Sequence, residues 1–116
     1  MLAATVVISV VLAALMAFAA VRKLGHREEV VATYTRVGVP EDRLDLLALV
    51  LLIGAAGLLV GLAWPPLGVA AAAGTVAYFL LAVRAHLRHD DRANLPTPVV
   101  MELLAVAALA LRLATL

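Results

Sequence analysis

The sequence has no cysteine, few aromatic residues and almost no excess of charge of either sign. Without cysteine the chain can form no disulfide, no thiolate metal site and no dithiol redox relay of its own. The formal net charge is +1, so bulk charge gives no reason to expect binding to nucleic acid. Aromatic residues make up only 4% of the chain.

What the sequence does have is an excess of small and aliphatic residues. Hydrophobic residues make up 66% of the 116 positions, and the mean hydropathy is +1.10. Soluble domains are usually about 45–50% apolar. A domain of this size cannot bury the excess in its own core, because small domains keep much of their surface exposed. The excess therefore predicts contact with lipid.

The apolar residues form four runs at about residues 2–21, 46–63, 67–84 and 99–116. Each run is close to the roughly 20 residues that an α-helix needs to cross a bilayer. The basic pair Arg22-Lys23 follows the first run, whereas a secretory signal peptide has its basic residues before the apolar run. We therefore predict an all-α fold, with residues 1–116 forming one transmembrane domain, a bundle of four membrane-spanning helices.

The polar stretch between the first two runs, residues 25–43, contains apolar residues at helical spacing, namely Val30, Val31, Tyr34 and Val37. It closes with Gly38-Val39-Pro40, where proline cannot continue a helix. The pattern predicts a short amphipathic helix in the membrane interface. A solvated loop is the alternative.

Charge predicts the orientation of the bundle. The basic residues at the ends of the first and third runs and in the two polar connections all fall on one side: Arg22, Lys23, Arg27, Arg36, Arg43, Arg84, Arg88 and Arg92. Only Arg112 lies toward the other side. The positive-inside rule then places the polar connections in the cytoplasm and both termini outside, in a multi-pass protein of the plasma (bacterial inner) membrane.

Glu102 is the first candidate functional residue, because an ionised carboxylate inside an apolar helix is costly unless it is paired or hydrated. Such a group could act as a general acid or base. It could instead form an ion pair with Arg84 or Lys23, or lie in interfacial water.

His86 and Tyr78 are the next candidates. Together with Ala82 they recur at intervals of one helical turn and so share a helix face. We expect this face to line a polar pocket at the cytoplasmic end, formed by Lys23, Asp45, Tyr78, Arg84, His86 and Glu102. Glu102, with His86 or Tyr78, is the candidate catalytic set, and Lys23, Asp45 and Arg84 are the candidate ligand-binding set. Lys23 and Arg84 could alternatively extend only to lipid headgroups.

The third run ends in His86, Arg88, His89, Asp90 and Asp91. Their spacing matches no strong metal-ligand motif, so we expect no metal site. The last four of these residues are expected to form a solvated loop.

Several short motifs resemble those of the DoxX-like family of small membrane proteins. They are Lys23-Leu24 after the first run, Gly38-Val39-Pro40, the second-run segment Gly54-Ala55-Ala56-Gly57-Leu58-Leu59 before the proline hairpin, and Ala82 with His86-Leu87-Arg88. The resemblance implies a four-helix bundle. Some such proteins are linked to membrane redox complexes that use quinones, some are accessory proteins, and many have no known activity.

The sequence departs from that family pattern at Leu51, where such proteins often have a glutamate three residues before the first glycine of the second-run motif. Any role of that glutamate is absent from this chain or is carried by another residue. Glu102 is the candidate replacement.

Two functions are the main hypotheses, and they differ in whether the chain is an enzyme; a structural subunit with no ligand is the third alternative. The first is a protein that binds a lipophilic small molecule, such as a quinone, in or beside a membrane redox system. The second is a small membrane enzyme that uses Glu102 and His86 for acid–base chemistry, such as isomerisation, cyclisation or epoxide opening. The sequence indicates no cofactor other than such a bound quinone. A redox enzyme is an expected partner, and the pair Gly57 and Gly61 raises the option of a homo-oligomer.

Overall fold

The computed structural model describes residues 2–115, and these form five α-helices joined by short turns. The helices are α1 (Leu2–Leu24), α2 (Glu28–Arg36), α3 (Leu44–Val60), α4 (Pro65–Arg88) and α5 (Pro96–Ala114). Short 3-10 turns, Glu41–Arg43 and Arg92–Asn94, precede α3 and α5. The predicted all-α fold is confirmed. Met1 and Leu116, which belong to the predicted domain, lie outside the described residues.

The long helices α1, α3, α4 and α5 form a bundle in which each contacts two neighbours, in the cyclic order α1, α3, α4, α5. All four are long and apolar enough to cross a membrane. The longest dimension of the molecule is 40 Å, close to the thickness of a bilayer with its headgroups. The short connection between α3 and α4 defines the Trp64 end of the bundle, and α2 defines the α2 end.

The spanning part of the bundle has polar residues inside and large apolar residues outside. Thr5 and Ser9 are fully buried, and Thr75 is 3% exposed. Phe18 and Ile53, in contrast, are each 64% exposed. This distribution is expected for helices surrounded by lipid, where association depends on close packing and interhelical polar contacts. The fold therefore supports a multi-pass membrane protein.

Small residues bring α3 and α4 into close contact. A Cβ atom added to Gly57 would lie 2.9 Å from the Cβ atom of Ala71, and one added to Gly61 would overlap the backbone of Gly68. Gly57 and Gly61 thus allow close contact between two helices of the same chain. The sequence alone left open whether that pair joins helices within the chain or between copies.

Helix α2 is the predicted amphipathic segment, although it is shorter than the polar stretch that contains it. Val30 is 5% exposed, and Val37, directly after the helix, is 4% exposed, whereas Glu28 and Glu29 are in water. Gly38 then adopts a φ of 84°, a conformation that disfavours other residues, and ends the segment. Its buried face covers one end of the bundle.

Substitution of Gly61 tests whether the α3–α4 contact limits stability. Gly61 has ordinary helical angles, so Gly61→Ala adds only a methyl group against the Gly68 backbone. We expect overpacking to lower the free energy of unfolding by about 1–3 kcal/mol. Thermal unfolding in detergent micelles, followed by circular dichroism, measures this loss as a lower midpoint.

Gly74→Ala is the matched control, because no heavy atom lies within 4 Å of the added methyl group. Alanine is also the better helix former, so this variant should match or slightly exceed the native midpoint. Equal midpoints for both variants would show that the Gly61 contact does not limit stability.

Candidate ligand-binding site

A cavity of about 580 Å³ lies at the α2 end of the bundle. Its walls come from α1, α2, α4 and the beginning of α5, with one residue of α3. Because α1 and α4 are not neighbours in the bundle, the space between them is left for the cavity, and the buried face of α2 lies across it. Most of the lining is apolar, with a small number of polar side chains.

Lys23, in the last turn of α1, is the most constrained cation of the cavity. Its side chain lines the cavity and the residue is only 4% exposed. The ammonium nitrogen lies 4.8 Å from the centre of the Tyr34 ring, within the range of a cation–π interaction. Within residues 2–115 it forms no ion pair. A ligand oxygen in the cavity would therefore meet an unpaired ammonium group.

His86, in the last turn of α4, lines the same cavity and is held by a carboxylate. Its Nδ1 atom lies 3.1 Å from Oδ2 of Asp91, and this pair is buried. Asn94 donates from its amide nitrogen to both oxygens of Asp91, at 3.1 and 3.2 Å. An imidazole that donates from Nδ1 leaves Nε2 for another partner. Asp91 is thus a positioning residue for His86.

Asp91 is ionised at neutral pH despite its burial. Burial alone would raise the pKa of this carboxyl group, but hydrogen bonds from Asn94 and His86 and the charge of Arg36 hold the pKa below its usual range. Asp91 therefore meets Nδ1 of His86 as a carboxylate, which accepts a hydrogen bond and fixes the orientation of the ring.

Two tyrosines add phenol groups to the mostly apolar wall. Tyr78 packs edge-on against Phe79, with ring centres 5.0 Å apart, and both residues line the cavity with Tyr34. Burial raises the pKa of the Tyr34 phenol above its ordinary value, against the opposing charge of Arg22. Tyr34 therefore keeps its proton at neutral pH and can donate a hydrogen bond.

The lining of the cavity has cations and neutral donors but no carboxylate. The polar lining residues are Arg22, Lys23, Thr33, Tyr34, Tyr78, His86, Asn94 and Thr97. Asp91, which is bonded to the lining residue His86, is not itself part of the wall. The site therefore favours a ligand whose polar atoms accept hydrogen bonds.

The structure brings together Lys23, Tyr78 and His86 of the six predicted pocket residues. Ala82 also lines the cavity, as the helical spacing from Tyr78 to His86 predicts. The functional roles assigned to these residues remain predictions, because the geometry shows their position and not their chemistry.

The other three predicted residues lie outside the cavity, so the expected walls need correction. Arg84 is on the exposed face of α4. Asp45 is exposed and accepts a hydrogen bond from Nε2 of His26 at 2.7 Å. Glu102 directly follows the lining residue Met101, and one residue along a helix turns a side chain by about 100°.

Glu102 forms no ion pair with Arg84 or Lys23 among residues 2–115. Its Oε1 atom is buried and has no hydrogen-bond partner, so it does not meet His86 or Tyr78 either. Leu51, the position of the acid often seen in similar proteins, is 1% exposed in the hydrophobic core. A replacement of that acid by Glu102 therefore stays a hypothesis.

Six polar residues that line or support the cavity were missing from the sequence-based pocket: Arg22, Thr33, Tyr34, Asp91, Asn94 and Thr97. The prediction of a solvated loop is wrong for Asp91, which is 8% exposed because the chain folds back after α4. The helical spacing of Val30, Tyr34 and Val37 was a usable signal for Tyr34. No group of three or more possible metal ligands occurs in the part of the chain that the structure describes.

The sequence model of the DoxX-like family matches residues 7–108, a segment that contains every residue of the cavity wall. The chain belongs to the DoxX-like family. No curated protein and no solved structure matches it. As a DoxX-like protein it is a small membrane protein, in agreement with the four spanning helices.

A histidine clamp joins the α1–α2 turn of this DoxX-like protein to the start of α3. Nδ1 of His26 lies 3.1 Å from Glu41, and Nε2 lies 2.7 Å from Asp45. The hydrogen bond to Asp45 and, to a smaller extent, the hydrogen bond to Glu41 raise the pKa of His26 above its ordinary value of 6.5. With a carboxylate at each ring nitrogen, both nitrogens donate only when the imidazole is protonated.

The clamp predicts that stability falls as the pH rises. Because the folded pKa is above the unfolded value, the clamp stabilises the protein fully below about pH 6.5 and is lost as the pH rises through the raised pKa. The difference in unfolding midpoint between the native protein and His26→Gln, measured in micelles, should be largest near pH 5.5 and should shrink above neutral pH.

His89→Gln is the control, since the ring of His89 bonds to the backbone oxygen of Ala85 and not to a carboxylate. Its midpoint difference should not follow the same pH course. A His26→Gln difference that is constant across this pH range would contradict the clamp.

Proposed function

We propose that this DoxX-like protein binds a lipophilic small molecule with a quinone-like head in the cavity at the α2 end. The observation that carries the proposal is a buried, unpaired Lys23 in a cavity whose walls contain hydrogen-bond donors and no carboxylate. The carbonyl oxygens of a quinone accept hydrogen bonds and cannot donate them. Such a head therefore matches the chemistry of the wall.

The size and the open side of the cavity suit a ring with an apolar tail. Ligand pockets commonly have volumes of about 300–1,000 Å³, and this one has about 580 Å³. Leu15, Phe18 and Leu81 line it and are also 39%, 64% and 62% exposed, respectively. These residues face both the cavity and the lipid, so a tail can extend sideways into the bilayer while the head remains near Lys23.

The proposed role is to hold or deliver the ligand beside a membrane redox enzyme. The chain has no cysteine, so any electrons belong to the ligand or to a partner. The distribution of basic residues supports a cytoplasmic α2 end in the plasma membrane. The quinone head would then lie at the cytoplasmic level of the bilayer.

Removal of the Lys23 charge should weaken binding. Lys23→Met keeps most of the apolar side chain but loses the ammonium group. We expect the Kd for a short-chain ubiquinone, or a short-chain menaquinone, to rise about tenfold or more, since a hydrogen bond from a charged group contributes about 1.5–3 kcal/mol. Isothermal titration calorimetry in detergent micelles measures it. Ala82→Phe, which fills the cavity, should abolish binding.

Arg84→Gln is the matched control: it removes a cation from the same end of the bundle but outside the cavity. Its Kd should equal the native value. The proposal fails if the native protein binds neither quinone, or if Lys23→Met and Ala82→Phe both bind as the native protein does.

An acid–base enzyme is the second candidate, and the His86–Asp91 pair is the observation that favours it. A carboxylate-oriented imidazole at a cavity is an arrangement suited to proton transfer. Isomerisation, cyclisation or epoxide opening of an apolar substrate would fit such a site. Glu102, outside the cavity in this structure, remains a proposed acid for that reaction.

The molecule that co-purifies with the protein separates the two functions. An enzyme should carry product in the native protein and unreacted substrate in His86→Asn, and these should differ in chromatographic retention after solvent extraction. Glu102→Gln should show the same change if Glu102 is the acid. The same molecule in all three proteins would argue for binding without catalysis.

A further inference from the structure

The Trp64 end of the bundle contains a second buried cation, far from the cavity. Arg112, in the last turns of α5, is only 4% exposed. Its Nε and Nη2 atoms are buried and have no hydrogen-bond partner. A buried charged group without a partner carries a large desolvation cost, because it has lost water and gained nothing in exchange.

The packing around Arg112 holds the guanidinium group in place. A Cβ atom added to Gly68, near the start of α4, would lie 2.8–2.9 Å from Nε, Cζ and Nη2 of Arg112. Glycine at this position therefore makes room for the guanidinium. An arginine that merely extended to the membrane surface would not need such a space.

No acidic side chain of the chain is available to neutralise Arg112. The eight acidic residues lie in the polar connections, at the start of α3 or in the first half of α5: Glu28, Glu29, Glu41, Asp42, Asp45, Asp90, Asp91 and Glu102. Glu102, the nearest along α5, is separated from Arg112 by ten residues, or about 15 Å of helix. The counter-charge must come from outside these residues.

We propose that Arg112 forms a binding site for a phosphate group at the Trp64 end of the bundle. Arg112 lies two residues before the last residue of α5, and Trp64, in the connection at the same end, is 59% exposed. Both positions fit the headgroup level of the bilayer, where tryptophan is enriched. The guanidinium is a permanent cation, and it donates charge-assisted hydrogen bonds to phosphate oxygens. The phosphate can belong to a lipid headgroup or be free in solution.

Arg112 lies beyond residues 7–108, the segment that matches the DoxX-like family, whereas Gly68 and Trp64 lie within it. The phosphate site shares no residue with the cavity at the α2 end. The phosphate site and the proposed quinone site can therefore succeed or fail independently.

Native mass spectrometry of the protein in neutral detergent tests the proposal. The probes are phosphatidylglycerol, diacylglycerol with the same acyl chains, and inorganic phosphate. We expect the native protein to retain one phosphatidylglycerol about tenfold or more better than diacylglycerol. If millimolar inorganic phosphate alone raises the unfolding temperature, the phosphate comes from solution. If it does not, while phosphatidylglycerol is retained, the phosphate belongs to the lipid headgroup.

Three variants make the test specific. Arg112→Gln should abolish the preference for phosphatidylglycerol and any shift with phosphate. Gly68→Ala, which keeps the arginine but fills its space, should weaken both. Arg92→Gln removes an exposed cation at the α2 end and should leave both unchanged. The proposal is overturned if the native protein shows neither effect, or if the effects persist in Arg112→Gln.

Discussion

The close approach of α3 and α4 through small residues is the constraint that fixes how these two helices pack. Lipid gives these helices little hydrophobic reason to associate, so their contact must come from packing. Gly61 against Gly68, and Gly57 against Ala71, bring the two helices together near the Trp64 end. At the α2 end, α1 and α4 lie apart and α2 covers the space between them. The glycine contacts between α3 and α4 thus lie toward the Trp64 end, and the cavity lies at the α2 end.

At the α2 end, the carboxylates lie outside the cavity and a cation lies inside it. Glu41 and Asp45 bind His26 outside the cavity, and Asp91 binds His86 at its edge. These three carboxylates are bonded to histidines, and no acidic residue lines the cavity beside Lys23. The cavity consequently keeps an unpaired cation among neutral donors. This distribution, more than any single residue, is what favours a ligand rich in acceptor oxygens.

Much of the fold could be predicted from sequence, because the hydropathy of whole segments indicates the spanning helices and prolines indicate where helices begin or end. The side-chain set of the site could be predicted only where helical spacing tied residues together, as for Tyr78 and His86. Glu102 was misplaced because it was chosen for its charge in an apolar helix, which does not tell which face of α5 points to the cavity. Asp91 was missed because its burial depends on how the chain folds back after α4, and the burial of Arg112 depends on a glycine in another helix.

If the proposed ligands bind at the two buried cations, ligand binding and folding are parts of one equilibrium. Lys23 and Arg112 are each 4% exposed, and neither forms an ion pair within residues 2–115. An acceptor that binds the folded bundle and not the unfolded chain relieves this cost and stabilises the fold by mass action. The native bundle is then most stable in a membrane that supplies acceptor oxygens at both ends. Stability in detergent should therefore depend on what remains bound after extraction.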